Sequence, residues 1–518
     1  MTEKAYAIGL DFGSESARGV LLDLKTGQIA HRAMHAYRHG IMSERLPDGS
    51  RLGPAWALQC ASDYVEAAQI LLEALGSGRQ IIGIGIDFTA SSPLPARLDG
   101  TPLSDLHPER PHAYVKLWKH RAAQFHADAI NARGGDFLRD CGGRVSAEWL
   151  LPKAAQLAAE DPDLWDMTER FIEAGDWLVW QLTGQEGRSL SFATFKAQYH
   201  EGEGYPVHVV PGLADRLAPP LPIGQAVGGL TAAWRQRTGL RGPCLVAAAV
   251  IDSHVVMPAV GATRPGTLVG ALGTSAAFLL LDREPRPLPH GIEGMAKDGM
   301  LPGFFAYESG MAAFGDTLAW FVRHFPKGGS TADAFIAHGE AAAALPPGGS
   351  GLVALDWWAG CRVPHADSRL SGLLLGLTLQ TGPAEIYRAL MEALAFGART
   401  IRDALQDGGV PVGRIVLTSG LAGRNPFLMQ LMADVLAAPV HVPDLVEATA
   451  LAAAIHGAVA GGVVEDFAAA ADRFGATRFA TYEPNEAASS VYGDLFAHYR
   501  TLSGDSSLRA IMHSLAPG

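Results

Sequence analysis

Three aspartates stand at or near the ends of apolar runs: Asp11 in "AIGLDF", Asp87 in "IIGIGIDF" and Asp252 in "PCLVAAAVIDSH". A carboxylate at the end of a buried strand needs a reason, because burying charge is costly. Two turns of small residues lie nearby in the chain. Gly13, Ser14 and Ser16 follow Asp11, and Gly273, Thr274 and Ser275 interrupt "GTLVGALGTSAAFLLLD". Backbone N–H groups in such turns can converge on a phosphate, since glycine lacks the Cβ that would block its approach. Each turn alone reads equally as the tip of a β-hairpin. Together with the carboxylates they describe phosphoryl transfer, which needs positioning, charge neutralisation and a proton acceptor. Asp252 then reads either as a helix N-cap or as the general base that deprotonates an attacking hydroxyl. Asp11 would serve Mg²⁺, a metal that keeps much of its hydration shell. No GxxxxGK[ST] loop occurs, and "GIGIDF" is not a dinucleotide fingerprint because Phe88 takes the third glycine position.

The elements that must hold these residues alternate between strand and helix. Residues 5–35 predict paired strands turning at Gly13–Ser16 and Lys25–Gly27. "SDYVEAAQILLEALG" predicts an amphipathic helix capped by Ser62 and stopped at Gly76. Helical stretches are expected through "AYVKLWKHRAAQFHADAINAR" and "IEAGDWLVWQLTG", and "LAPPLPIG" at 217–224 marks a change between halves. The second half repeats the pattern: a strand ending at Asp252, a hairpin around Gly273–Ser275, then the long helix "PAEIYRALMEALAFGARTIRDAL". "RIVLTSGLAGRNPFLMQLMADVLAAPVHV" follows as strand, glycine-rich turn and helix, carrying Gly420, Asn425, Gln430 and Asp434. Two mixed α/β domains in tandem, 1–240 and 241–518, with a cleft between them, are the economical reading. Ligands of open α/β sheets collect beyond the carboxyl ends of the strands, where Asp87, Asp252 and the Ser419–Gly420 turn fall.

Composition narrows the partners. The 518 residues exceed what a single core usually serves, and 48% hydrophobic with 18% charged residues suits a globular chain. A net charge of −12 without a Lys/Arg block argues against nucleic acid or an anionic membrane as main partner. The opening segment does not read as a signal peptide and no transmembrane run is indicated, so a cytoplasmic protein is expected. Cys60, Cys141, Cys244 and Cys361 lack CxxC spacing and are expected to be reduced core thiols. His31, His35 and His39 recur every four residues in a segment of strand and loop, where solvated histidines are expected rather than a metal face.

The motifs also stand in the order of a known family. "IGLDFGSESARGVLLD", "GIGIDFTASSPLP", "LWKHRAA", "ATFKA", "VIDSHVVMPAVGA", "LGTSAAFLL", "PGFFAYESGMAAFGD", "LDWWAGCRVPHADSRLSG" and "SGLAGRNPFLMQLMADVLAAPVHV" span the chain to about residue 455. Through them the chain resembles the FGGY family of carbohydrate kinases, and within it the ribulokinase branch. The resemblance implies an actin-like ATPase fold, with two ribonuclease H-like domains flanking a cleft where ATP and sugar meet. It implies Asp252 as catalytic base, Asp11 as the Mg²⁺-associated carboxylate, and Gly13–Ser16 and Gly273–Ser275 as the two phosphate loops. Gly420, Asn425 and Gln430 would border the adenine nucleotide, and Ala90, Trp118, Lys196 and Glu308 would approach the sugar. Without the family, Lys196 reads as a surface lysine and Glu308 as equally bland. The activity implied is transfer of the γ-phosphate of ATP to a ketopentose, L-ribulose at O5 first. D-ribulose, D-xylulose or polyol kinases are the alternatives, with a non-catalytic sensor as the rival of a different class. A homodimer is the family-level expectation. The chain departs from the family at Ser419, where many members carry glycine.

Overall fold

The computed structural model describes residues 4–516. The chain divides into two compact units: Met1–Thr263 with Met295–Ala306 and Val446–Ala476, and Arg264–Gly294 with Tyr307–Leu445 and Thr477–Gly518. The first runs past residue 240 and is rejoined by two later segments.

The sheet of the first unit has the strand order Ile29–Ala36, Ser16–Asp23, Ala5–Phe12, Gln80–Phe88, Leu245–Ala247, Ala226–Gly229. The first three form an antiparallel meander, and Gln80–Phe88 runs parallel to Ala5–Phe12. Leu245–Ala247 and the short Val250–Ile251 both pair in parallel with Gln80–Phe88. Side chains alternate between faces along a strand, so Gly9 shares a face with Asp11, and Gly83 and Gly85 share one with Asp87. The helix Ala448–Ala460 lies on that face. A Cβ at Gly9 would stand 1.9 Å from the Ala450 carbonyl oxygen, and one at Gly85 would stand 1.8 Å from that of Ala453. Only glycine permits this approach. The glycines of "GIGIDF" are thus there for a helix.

The second unit repeats the order: Phe305–Met311, Ala276–Asp282, Thr267–Leu272, Arg414–Thr418, Val440–Pro443, Phe479–Tyr482. Thr267–Leu272 is antiparallel to Ala276–Asp282 and parallel to Arg414–Thr418. In both sheets an antiparallel hairpin is extended on the side of its first strand by two parallel strands and then an antiparallel one. The long helix expected from "PAEIYRALMEALAFGARTIRDAL" spans Pro383–Asp407.

Two local expectations need correction. The first helix spans Ala61–Gly76 with Cys60, not Ser62, at its N-cap and no side-chain cap. The stretch at 113–133 is α-helical only over Gln124–Arg133. Before it, Val115–Lys116 pairs with Leu58–Gln59 as a short strand. There tertiary pairing overrides local propensity. The four cysteines are free and buried. His31 and His35 lie on the edge strand Ile29–Ala36, and His39 bonds Asp63 through Nδ1 at 2.7 Å.

Candidate active site

Parallel pairing brings the strand-end aspartates together. Asp11 and Asp87 are register partners, and Ile251 pairs with Phe88, so Asp252 leaves the sheet at the same end. Asp87 is fully buried and neither carboxylate oxygen has a hydrogen-bond partner. Burial, and then the charges of Asp11 and Asp252, push its carboxyl well above the usual range. Asp11 is half-buried and its Oδ2 accepts the Thr449 hydroxyl at 2.6 Å, from the first turn of the helix lying on the sheet. Asp252 is half-buried too. It is the first residue of the short helix Asp252–Val255, whose N-cap is Ile251, and its Oδ1 accepts the Ser253 N–H at 2.7 Å. The N-cap reading of Asp252 therefore does not hold, since the carboxylate sits one position too late.

The first small-residue turn is closed by Gly13 N–H donating to Ser16 O at 3.1 Å. Two side chains fix it: Gln59 Nε2 donates to Ser14 O at 2.5 Å, and Trp118 Nε1 donates to Ser14 Oγ at 2.9 Å. The second turn has Gly273 N–H donating to Ser275 O at 2.8 Å. It is anchored by the start of the helix Gly315–His324, where Phe314 N–H meets Thr274 O at 2.8 Å and Gly315 N–H meets Gly273 O at 3.0 Å. One such turn lies in each unit.

Ala90 and Trp118 sit on two irregular loops of the first unit that two buried side chains, Lys153 and Glu173, hold. Lys153 Nζ donates to Ser91 O at 2.7 Å, Leu117 O at 2.9 Å and Lys116 O at 3.3 Å. Glu173 accepts Ser92 N–H at 2.6 Å and the Ser91 hydroxyl. Burial brings Lys153 down to about 7 against the opposing charge of Glu173. Burial likewise raises Glu173, opposed by the two serine bonds and by Lys153 and Lys196. Lys196 is buried on the helix Leu190–Ala197, its Nζ 5.8 Å from the Trp149 ring centroid. Glu308 is half-buried on Phe305–Met311 in the second unit.

Also in the second unit, Ser419 has φ 147°, backbone that glycine adopts freely. Its hydroxyl offsets that strain by accepting the N–H groups of Leu421 and Ala422 at 3.1 and 3.2 Å. Gly420 opens the helix Gly420–Arg424, and Asn425 caps the helix Pro426–Leu436 through Leu428 N–H at 3.0 Å. Gln430 Nε2 donates to Asp434 Oδ1 and Glu483 O, both at 2.8 Å.

Residues 268–461 match the C-terminal domain of the FGGY family of carbohydrate kinases. A ribulokinase of Shouchella clausii is 40% identical over 96% of this chain and 95% of its own length. One of Halalkalibacterium halodurans is 40% identical over 97% and 95%. The chain belongs to the FGGY family of carbohydrate kinases. The solved xylulose kinase of Rhodospirillum rubrum superposes with a TM-score of 0.82 at 22% identity, covering 98% of this chain and 100% of that one. This FGGY kinase therefore has the actin-like ATPase fold, and its repeated hairpin-plus-parallel sheets are the two ribonuclease H-like halves. It is a sugar phosphotransferase that uses ATP. No helix among the described residues is long and apolar enough to cross a membrane.

Sequence reasoning named Asp11 and Asp252 for this FGGY kinase but assigned no role to Asp87, Thr449, Lys153 or Glu173. Asp87 carried a signal, its place at a strand end. Lys153 and Glu173 carried none, because their meaning depends on loop carbonyls and amides distant in the chain.

Proposed function

We propose that the chain transfers the γ-phosphate of ATP to the O5 hydroxyl of a ketopentose, with L-ribulose as first candidate and L-ribulose 5-phosphate as product. What carries the reading is the convergence of Asp11, Asp87 and Asp252 at the carboxyl ends of three parallel strands of one sheet, with only Asp87 fully buried. A ribulose is supported by relatives named ribulokinase that align over nearly the whole chain. In this reading Asp252 accepts the proton of the sugar hydroxyl as its oxygen bonds to the γ-phosphorus. The bond from that phosphorus to the β-phosphate bridging oxygen breaks, and ADP leaves. The amides of Gly13–Ser16 and Gly273–Ser275 hold phosphate oxygens, and Gly420, Asn425 and Gln430 border the adenine nucleotide. Ala90, Trp118, Lys196 and Glu308 orient the sugar, Lys196 and Glu308 through its hydroxyls and keto oxygen, Trp118 as a wall.

Asp11 is the residue that would hold Mg²⁺. Among the described residues no group of three or more His, Cys, Asp or Glu side chains could hold a metal alone. A single oxygen donor fits Mg²⁺, which binds through one or two carboxylates plus phosphates and water. When bound, the ion neutralises charge on the transferring phosphoryl group.

The test is a coupled ADP-release assay with L-ribulose, D-ribulose, D-xylulose, aldopentoses and polyols. Stimulation strongest with L-ribulose is expected. Preference for D-ribulose or D-xylulose would move the assignment within the family, and no stimulation by any sugar would leave a non-catalytic sensor.

A further inference from the structure

The two loops carrying Ala90 and Trp118 have little regular structure of their own. Residues 89–92 and 117–120 lie outside strands and helices. Their backbone groups must find partners elsewhere, and those partners fix the loop conformation. Much of that task falls to two charged side chains. Lys153, 0% exposed, spends its bonds on the carbonyls of Ser91, Lys116 and Leu117 and so ties one loop to the other. Glu173, 3% exposed, accepts the Ser91 hydroxyl and the Ser92 N–H. Ser92 Oγ then accepts Trp118 N–H at 3.2 Å, and the Trp118 indole donates to Ser14 Oγ in the first small-residue turn at 2.9 Å.

We propose that Lys153 and Glu173 are positioning residues of this kinase that set its affinity for the sugar by clamping the Ala90–Ser92 and Lys116–Trp118 backbones in register. The proposal rests on the reading that Ala90 and Trp118 face the sugar. A buried lysine that merely stabilised a core would leave substrate affinity untouched when lost. A clamp differs, because its donors meet the backbone within a residue of both sugar-facing positions. A misplacement of about 1 Å can cost on the order of 10²-fold in rate or affinity. Glu173 also bears on Lys196, whose charge lies close enough to favour the ionised carboxylate.

The test compares Lys153→Met, Glu173→Ala, Glu173→Gln and Ser92→Ala with wild type by ADP release, using whichever sugar wild type phosphorylates. Lys153→Met keeps the length of the side chain and removes its donors. It is expected to raise KM for the sugar at least about 10-fold while KM for ATP stays within about 2-fold. Glu173→Ala should do the same. Glu173→Gln keeps an acceptor for Ser92 N–H and a donor for Ser91 Oγ, so sugar KM should return to within about 3-fold of wild type. Should Lys153→Met fail to fold, Ser92→Ala cuts the same relay one link later, and a rise of about 5-fold in sugar KM is expected. Unchanged sugar KM in Glu173→Ala and Ser92→Ala, with only a lowered melting temperature, would overturn the proposal and leave a purely structural pair. A wild type that phosphorylates no sugar would overturn the functional reading first, and this proposal with it.

Discussion

Replacing Asp252 by Asn tests the proposed base with minimal disturbance. Asn keeps an oxygen for the Ser253 N–H, which lies 2.7 Å from Oδ1. The pairing of Val250–Ile251 with Asp87–Phe88 and the bond from Ile251 N–H to Ser191 Oγ at 3.3 Å involve no Asp252 side-chain atom, so the local fold should persist. One of the two charges that raise the proton affinity of buried Asp87 disappears. What is lost is the ability to take a proton. General-base catalysis contributes roughly 10²–10⁴-fold, which corresponds to about 2.7–5.4 kcal/mol on the barrier. The expected result is kcat lower by roughly that factor at saturating sugar, with the Kd for ADP within about 2-fold of wild type. Steady-state ADP release and isothermal calorimetry with ADP measure the two. A kcat within about tenfold of wild type, with only a raised sugar KM, would show that Asp252 binds substrate uniformly and is not the base.

Lys196→Ala should raise the sugar KM by roughly 10-fold or more, the size of a lost charged hydrogen bond, with ATP KM unchanged; an unaltered sugar dependence would take Lys196 out of the pocket. His120 gives a stability prediction. Its ring is buried and bonded at both nitrogens, to Ala57 N–H at 3.3 Å and Gln156 Oε1 at 2.9 Å, an arrangement that suits the neutral form. Burial, then Lys116, holds it down to about 2, while the unfolded chain takes up that proton below about 6.5, so stability falls as pH drops through this window. Urea titrations of wild type and His120→Gln should differ in slope by up to about 1.4 kcal/mol per pH unit between roughly pH 5 and 6, and equal slopes would show that His120 does not stay neutral.

How far the sequence discloses this molecule depends on whether a residue's role is local. Asp11, Asp87 and Asp252 are legible because an apolar run that ends in a carboxylate is a local pattern, and parallel pairing then juxtaposes the ends. The hairpins are legible for the same reason, through their glycines and small polar residues. Gly83 and Gly85 are not, because what they accommodate lies some 370 residues later, in the helix Ala448–Ala460. Lys153 sits in "LLPKAAQLAAE", where a lysine on an amphipathic helix ordinarily faces water, yet it is enclosed by carbonyls of two loops. Residues 113–123 carry good helix formers and are still mostly non-helical, since Val115–Lys116 is recruited by Leu58–Gln59.

The glycines and the carboxylates follow from one geometric fact. Alternation along the strand puts Gly9 and Asp11 on the same face, as it does Gly85 and Asp87. The glycines let the helix Ala448–Ala460 settle on the sheet, and this brings Thr449, in its first turn, to the Asp11 carboxylate at 2.6 Å. The segment Val446–Ala476 therefore does two things on returning to the first unit before the chain goes back to the second. It covers the sheet, and it supplies a hydroxyl donor to the carboxylate proposed to serve the metal. A methyl group at Gly9 or Gly85 would meet helix backbone, which cannot yield as a flexible side chain can. The helix would have to lift, and its first turn would carry Thr449 away from Asp11. Packing and chemistry are coupled here through backbone distance, so the site can be disturbed from the middle of a strand by a residue that touches no substrate.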